Sequence, residues 1–190
     1  GIGAARQDVN VSVRGGTRIE IKGVPNIKRI PILTYNEAMR QWNLLRMRDS
    51  LLEKGITPDT FEARYEDVTK FLRKTSFTPI HNGILQGMKV NCVVVKGFAG
   101  YLRWQTQTDT YFSKEISDRV RVIACLTNLP NIIHSDSHTE TIGSSEWQSL
   151  RKYMNANNDD VLIIVWGPDE DAETGAKEII IRCKEATIGI

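Results

Sequence analysis

The sequence predicts an α+β fold, in which a β-hairpin and helices precede a two-layer α/β sandwich with the element order ββαβαβα. Three patterns lead to this prediction. Apolar residues alternate near the N-terminus, they recur at helical spacing over residues 35–54, and after Gly87 short β-branched runs alternate with helical stretches. With 190 residues, 41% of them hydrophobic, the chain can bury a core in one domain or two small ones.

Residues 5–24 are predicted to form the hairpin, with its turn at Gly15-Gly16. Apolar positions alternate on both arms, namely Val9, Val11, Val13, Ile19 and Ile21. Because residues two apart along a strand point the same way, one face of the hairpin is apolar and the other is polar. The polar face carries Asp8, Asn10, Ser12, Arg14, Arg18, Glu20 and Lys22.

This polar face has two interpretations. If Asp8 and Glu20 lie opposite or diagonal to each other, their oxygens can hold a hard divalent cation, with Arg6 or Arg18 placed for a phosphate. Alternatively, the face is solvated and carries cross-strand ion pairs, as surface hairpins commonly do. Spacing alone does not separate the two.

Two helices are predicted after the hairpin. The first spans residues 35–54, beginning in a capping box at residues 34–37 and ending before Gly55. Its exposed side carries cations that suit either a nucleic-acid backbone or plain solvent, and these are Arg40, Arg46, Arg48 and Lys54. The second helix is predicted over residues 61–72, and residues 74–79 have the composition of a linker. We therefore place a domain boundary near Ser76, dividing the chain into residues 1–76 and 77–190.

The second domain is predicted as one mixed sheet covered by helices. Strands are expected at residues 88–96, 101–104, 131–134 and 161–166. Helices are expected to begin at residue 113 and to span residues 144–154 and 169–187, the last with an acidic first turn and basic last turns.

Several residues of this second domain invite functional interpretations. His134, Ser135, Asp136 and His138 suit a catalytic or metal site, or a turn whose polar groups bond the backbone, which we favour. Four aromatic residues can stack on bases or pack in the core, which is the favoured interpretation, namely Trp104, Tyr111, Phe112 and Trp147.

The overall composition bounds the setting of the protein. A net charge of +2 neither requires nor excludes a nucleic-acid partner. No apolar run approaches the length of a membrane span, and residues 1–4 are neither a signal peptide nor an ordinary initiation site. We therefore expect a cytoplasmic protein and a piece of a longer chain. Cys92 and Cys183 sit among apolar neighbours, so we expect a reduced setting with inert core thiols. The three cysteines, Cys92, Cys125 and Cys183, lack the paired spacing of a zinc site.

The hairpin sequence resembles a known family. Residues 6–16 (Arg-Gln-Asp-Val-Asn-Val-Ser-Val-Arg-Gly-Gly) and 18–24 (Arg-Ile-Glu-Ile-Lys-Gly-Val) are similar to the signature near the end of the catalytic cradle domain of the tRNA-dependent amidotransferases. The family has two related types of kinase subunit, the B type and the E type. Lys22-Gly23-Val24 resembles the archaeal E type of the glutamyl-tRNA(Gln) enzymes, because the B type usually has Asn after that lysine.

A second resemblance covers the rest of the chain. Residues 95–100, 115–122 and 132–136 together are similar to the GAD domain, which occurs in the archaeal E type and in bacterial aspartyl-tRNA synthetases. The resemblances imply that residues 1–76 are the C-terminal part of the cradle domain and that residues 77–190 are a GAD domain.

The family resemblance also implies a reaction. With ATP and Mg²⁺, the E-type kinase activates the glutamate of Glu-tRNA(Gln) as an acyl phosphate, and ammonia from an asparaginase-like amidase partner, the D type, converts it to Gln-tRNA(Gln). In this interpretation the cofactor-binding residues are Arg6, Asp8, Asn10 and Glu20, and Asp8 and Glu20 are the metal ligands. Other ligands are expected upstream, so the 190-residue chain alone should be inactive.

Two further expectations remain open. The chain can instead be a non-catalytic module that binds tRNA or braces a neighbouring subunit. In addition, exposed hairpin edges can pair with a second copy and produce a dimer.

Overall fold

The computed structural model describes residues 5–126 and 131–190. The interpretation of residues 1–4 as the start of a cut piece lies outside these residues. Five α-helices and eight β-strands in the described part confirm the α+β class. Among the described residues no helix is long and apolar enough to cross a membrane.

The predicted hairpin is confirmed as strands β1 (Gln7–Val11) and β2 (Ile19–Val24), which pair antiparallel. Pairing runs from Val11 with Ile19 to Gln7 with Val24, and its register shifts between Gln7 and Val9. Three residue steps on β2 there face two on β1, which is a β-bulge. Gly23 lies in this bulge with a φ of +64°, a conformation that favours glycine.

Helix α1 spans Ile30–Glu53 and therefore begins five residues before the predicted start. Pro31 lies in its first turn, where a helix needs no N–H and where the fixed φ of proline already suits the helix. The helix ends before Gly55, which has a φ of +77°. Leu44, Met47 and Leu51 are buried and attach α1 to the main core.

The predicted helix over residues 61–72 is wrong. Strand β3 (Ala63–Asp67) occupies this segment and pairs antiparallel with strand β4 (Lys89–Val95). Only the last part of the predicted helix has a helical contact. There the amide of Leu72 donates to the carbonyl of Val68 at 3.0 Å, which closes a single turn. The edge of β4 has backbone groups that need hydrogen-bond partners, and pairing with them outweighs a helical pattern that consists of only four apolar residues.

The main sheet has the strand order β3-β4-β8-β7, in which β7 is Ile132–His134 and β8 is Val161–Gly167. Every neighbouring pair is antiparallel. The two central strands, β4 and β8, are almost completely buried. Because β3 belongs to this sheet, the sheet begins before residue 76, and the domain boundary near Ser76 stays a prediction.

Helices cover both faces of this sheet, in contrast to the predicted two layers. Helices α3 (Phe112–Ile123) and α5 (Asp169–Ala186) pack with α1 on one face. Helices α2 (Thr78–Leu85) and α4 (Ser144–Tyr153) cover the other. The reason is that β4 and β8 are apolar at nearly every position rather than at every second one, so water must be excluded from both faces.

The predicted order ββαβαβα is also corrected. Residues 101–104 do not form a strand, because Tyr101–Arg103 is a 3-10 helix that follows Gly100, whose φ is +89°. Consecutive strand residues point to opposite faces, whereas here the neighbours Tyr101 and Leu102 are both buried in the same core. A small ribbon follows, formed by strands β5 (Gln105–Gln107) and β6 (Thr110–Tyr111).

The central strands should dominate stability. Ile163 of β8 is fully buried, and its replacement by Ala leaves a cavity, so we expect Ile163→Ala to lower the free energy of unfolding by about 2–5 kcal/mol. Ile181→Ala is the matched control, because Ile181 is exposed on α5. Urea denaturation followed by circular dichroism measures both. Equal effects of the two variants would contradict this account of the core.

Candidate functional site

The hairpin brings the predicted polar residues to one exposed face. Glu20 pairs directly with Asn10 across the two strands. Asp8 lies two residues before Asn10 on the same strand, so it is diagonal to Glu20, as one interpretation of the sequence required. All three side chains are exposed. The face therefore presents two carboxylates and one amide to solvent.

One of the two carboxylates already has a structural partner. The backbone amide of Gly23 donates to Asp8 Oδ1 at 2.8 Å, across the bulge. This bond satisfies an N–H group at the point where the register of the ladder shifts. Glu20 Oε2 lies 3.7 Å from Lys22 Nζ on its own strand, and both side chains are exposed, so this ion pair contributes little.

The chemistry of the donor set fits Mg²⁺ in part. Carboxylate and amide oxygens are ligands that Mg²⁺ accepts, and it usually keeps several waters beside one or two carboxylates. No group of three or more His, Cys, Asp or Glu side chains able to hold a metal occurs within residues 5–126 and 131–190. Arg6 and Arg18 are exposed, and neither forms an ion pair in those same ranges. Asp8, Asn10 and Glu20 thus present oxygen atoms of the kind that Mg²⁺ accepts, on one exposed face of the hairpin.

Gln41 of α1 fixes the position of the hairpin. Its Oε1 accepts from the amide of Val13 at 3.1 Å, and its Nε2 donates to the carbonyl of Val11 at 3.0 Å. The same Nε2 also donates to Glu37 Oε1 at 2.9 Å. Gln41 is only 4% exposed. The sequence shows only a glutamine beside the apolar positions of α1. Its role could not be predicted from that pattern, because its partners Val11 and Val13 are remote in the chain.

The cation stripe predicted on α1 is not one free surface. Arg40 Nε donates to Glu115 Oε1 of α3 at 2.5 Å, and Arg40 Nη1 donates to Glu37 Oε1 at 3.1 Å. Burial opposes the charge of Arg40, but these carboxylates outweigh it and raise the pKa of the guanidinium. These bonds make Arg40 unavailable to a nucleic-acid backbone. Arg48 also pairs, with Asp49 on its own helix.

Ser135 and Asp136, which follow β7, bond the backbone as the favoured interpretation predicted, whereas His134 is the last residue of β7 itself. Ser135 Oγ accepts from the amide of Leu162 at 2.9 Å. The carboxylate of Asp136 accepts from the amides of Gly100, at 2.8 Å, and Leu102, at 3.1 Å. Burial lowers the pKa of the neighbouring His134, with Asp136 raising and Arg103 lowering it to a smaller extent. No hydrogen bond joins these side chains into a triad in the described ranges.

The aromatic and thiol predictions can also be compared with the structure. Phe112 and Trp147 are buried, as the core interpretation predicted, whereas Tyr111 is exposed. Burial raises the pKa of the Cys183 thiol to about 12 and that of Cys92 further still, so both thiols are inert. Cys125, in contrast, is exposed. Trp104 is half-buried against the Tyr101 ring, with its Nε1 donating to the carbonyl of Asn43 at 2.9 Å.

Comparison with known proteins identifies the family. Residues 1–155 match the family model described as the GatB/GatE catalytic domain. The chain is 35% identical over 191 residues to the E-type subunit of the glutamyl-tRNA(Gln) amidotransferase of Pyrococcus furiosus, covering 100% of this chain and 30% of that protein. It is 34% identical over 192 residues to the corresponding E-type protein of Methanocaldococcus jannaschii, with the same two coverages.

The comparisons define the family of this chain. The chain belongs to the GatB/GatE family, and its similarity to the E-type proteins over its whole length confirms the resemblance found in the sequence. It spans about 30% of the length of the curated relatives it matches. The family match extends past residue 76, and the division at that residue stays a prediction.

The contact of Gln41 with the hairpin can be tested directly. Gln41→Ala leaves the carbonyl of Val11 and the amide of Val13 without their partner, so we expect faster hydrogen exchange at Val13 and a loss of about 1–3 kcal/mol of local stability. Gln148→Ala is the matched control, since Gln148 is exposed on α4. Unchanged exchange at Val13 in Gln41→Ala would show that other contacts hold the hairpin.

His134 should make stability depend on pH. Its folded pKa lies below its ordinary value of 6.5, so the unfolded chain binds more protons between the two values. The free energy of unfolding therefore falls as the pH drops below about 6.5 and is regained above it. We expect His134→Gln to flatten this dependence, measured by urea denaturation between about pH 5 and pH 7. If the free energy of unfolding of His134→Gln depends on pH as that of the wild type does, or if the exposed control His138→Gln flattens the dependence equally, His134 is not its origin.

Proposed function

We propose that this chain is part of a subunit that, with ATP and Mg²⁺, activates the glutamate of Glu-tRNA(Gln) as an acyl phosphate and amidates it to Gln-tRNA(Gln). Membership of the GatB/GatE family and the names of the relatives support the class of reaction. The observation that carries the specific proposal is the common exposed face of Asp8, Asn10 and Glu20, with Arg6 and Arg18 nearby in sequence.

The hairpin residues would have distinct roles. Asp8, through its second oxygen, and Glu20 would bind the metal, and Asn10 lies between them with an amide oxygen. Arg6 would bind phosphate oxygens, since its side chain passes over Gly23 and reaches the bulge that bonds Asp8. Bound Mg²⁺·ATP would supply the phosphoryl group, with the metal neutralising charge on it.

A second part of the proposal concerns what this chain lacks. Asp8, Asn10 and Glu20 are exposed, and charges in water interact weakly. A site that stabilises a transferring phosphoryl group needs further ligands and exclusion of water. We therefore propose that a longer subunit supplies these elements and that the isolated 190-residue chain is catalytically inactive.

The partners follow from the same reaction. We propose an asparaginase-like amidase of the D type as the source of ammonia and tRNA(Gln) carrying glutamate as the substrate, in a cytoplasmic heteromeric complex. Strand β2 pairs with no strand other than β1 in the described ranges, and its outer edge supports the expectation that hairpin edges can pair with a second copy in the isolated chain.

Metal and nucleotide binding tests the roles of the hairpin. In the full-length protein that contains this chain, Asp8→Asn and Glu20→Gln should each weaken binding of Mg²⁺·ATP by roughly 10- to 100-fold, because each removes a charged ligand. Isothermal titration calorimetry measures the affinity. The matched control is Glu66→Gln on strand β3, which changes an exposed carboxylate outside the hairpin.

Two outcomes would contradict the proposal. Unchanged Mg²⁺·ATP affinity in both hairpin variants would make the two carboxylates structural. Detectable turnover of ATP or aminoacyl-tRNA by the purified 190-residue chain would refute the expected inactivity.

A further inference from the structure

An exposed pair of aromatic rings lies on the opposite side of the main sheet from α1. The rings of Phe71 and Tyr153 have centroids 4.9 Å apart and planes inclined by 35°. Phe71 follows β3 in the turn near Leu72, and Tyr153 is the last residue of α4. Phe71 is 38% exposed and Tyr153 is 55% exposed. The two rings are thus held together while part of their surface stays open to solvent.

Several cations surround this pair in the sequence. Lys70 precedes Phe71, Arg73 and Lys74 follow it, and Lys152 precedes Tyr153. All four are exposed, and none forms an ion pair or a side-chain hydrogen bond with another residue of the part that the structure describes. Some other exposed lysines do pair, namely Lys22 with Glu20, Lys96 with Glu62, Lys114 with Asp118 and Lys177 with Glu173.

A shallow depression adjoins the rings. It has a volume of about 410 Å³ and lies between residues 71–76 and α4, with Phe71, Lys74 and Ser149 among its lining residues. Two acidic groups nearby already accept hydrogen bonds. Thr75 Oγ1 donates to Glu146 Oε2 at 2.6 Å, and the amide of Thr69 donates to Asp67 Oδ1 at 2.8 Å. These bonds come from neutral donors and leave both carboxylates charged, so the four cations named above outnumber these two nearby carboxylates.

We propose that this surface, formed by Lys70, Phe71, Arg73, Lys74, Lys152 and Tyr153, binds a single-stranded segment of RNA. Bases would stack on the exposed rings and phosphates would lie on the cations, which is how proteins bind single strands. The exposure of both rings favours RNA over an acidic protein, which would use the cations but not the ring faces. The inference rests on the proposed function for the source of the RNA, and it adds a contact site on elements other than the hairpin.

Fluorescence anisotropy tests the proposal with the 190-residue chain and a labelled, unstructured RNA of about 12 nucleotides, within the length that such surfaces occupy. We expect salt-dependent binding that Tyr153→Ala weakens by roughly 5- to 100-fold, because a stacking ring is lost. Tyr153→Phe keeps the ring and should bind within about twofold of the wild type. Lys70→Ala and Lys74→Ala should each reduce the salt slope by about 0.7.

Matched controls separate this surface from general effects. Tyr111→Ala removes a comparably exposed tyrosine, at 44%, and Lys114→Ala removes an exposed lysine of α3; both should leave RNA binding unchanged. The absence of RNA binding, or equal losses in Tyr153→Ala and Tyr111→Ala, would overturn the proposal. Lysine-dependent binding of poly-glutamate in place of RNA would also overturn it, in favour of an acidic protein partner.

The test is independent of the hairpin. Asp8→Asn and Glu20→Gln should leave RNA binding by this surface unchanged, since they alter a different element. If those variants leave the affinity for Mg²⁺·ATP unchanged, the roles proposed for the hairpin are refuted, and the proposal for the RNA-binding surface is not affected. Loss of RNA binding in Asp8→Asn comparable to that in Tyr153→Ala would instead overturn the surface assignment.

Discussion

The side-chain amide of Gln41 is the contact on which the candidate site depends. A two-stranded hairpin is marginally stable alone in water, and β1 pairs with no strand other than β2 in the described ranges. Gln41 bonds the carbonyl of Val11 and the amide of Val13, and so acts on the edge of β1 much as a short piece of a further strand would. The position of α1 therefore determines how the polar face of the hairpin is oriented.

From Gln41 the same chain of bonds reaches the second half of the molecule. Glu37 accepts from Gln41 and from Arg40, and Arg40 bonds both oxygens of Glu115 on α3. Such a partly buried ion pair adds little net stability but is costly to break, because one charge would remain without its partner. It therefore restricts how α1 can sit against the sheet and, through Gln41, how the hairpin is presented.

The extent to which the sequence predicts this structure depends on the range of the interactions involved. The hairpin, α1 and the central strands follow from local periodicity, and the uninterrupted apolar run of β8 even carried the signal that both sheet faces are covered. Strand β3 was missed because pairing with β4, remote in sequence, outweighs its local helical spacing. Likewise the shared face of Asp8 and Glu20 was predictable from alternation, whereas the bond from Gly23 to Asp8 required the bulge.

The hairpin can be compared with two physical conditions that a phosphoryl-transfer site must meet. Electrostatic stabilisation of a transferring group is strong only where donors are fixed before the reaction and water is excluded. The bonds of Gln41 to Val11 and Val13 contribute to the first condition by fixing the backbone of the hairpin that carries the carboxylates. The exposure of Asp8 and Glu20 shows that the second is not met by the residues described, so a covering element must complete the site for the proposed chemistry to proceed.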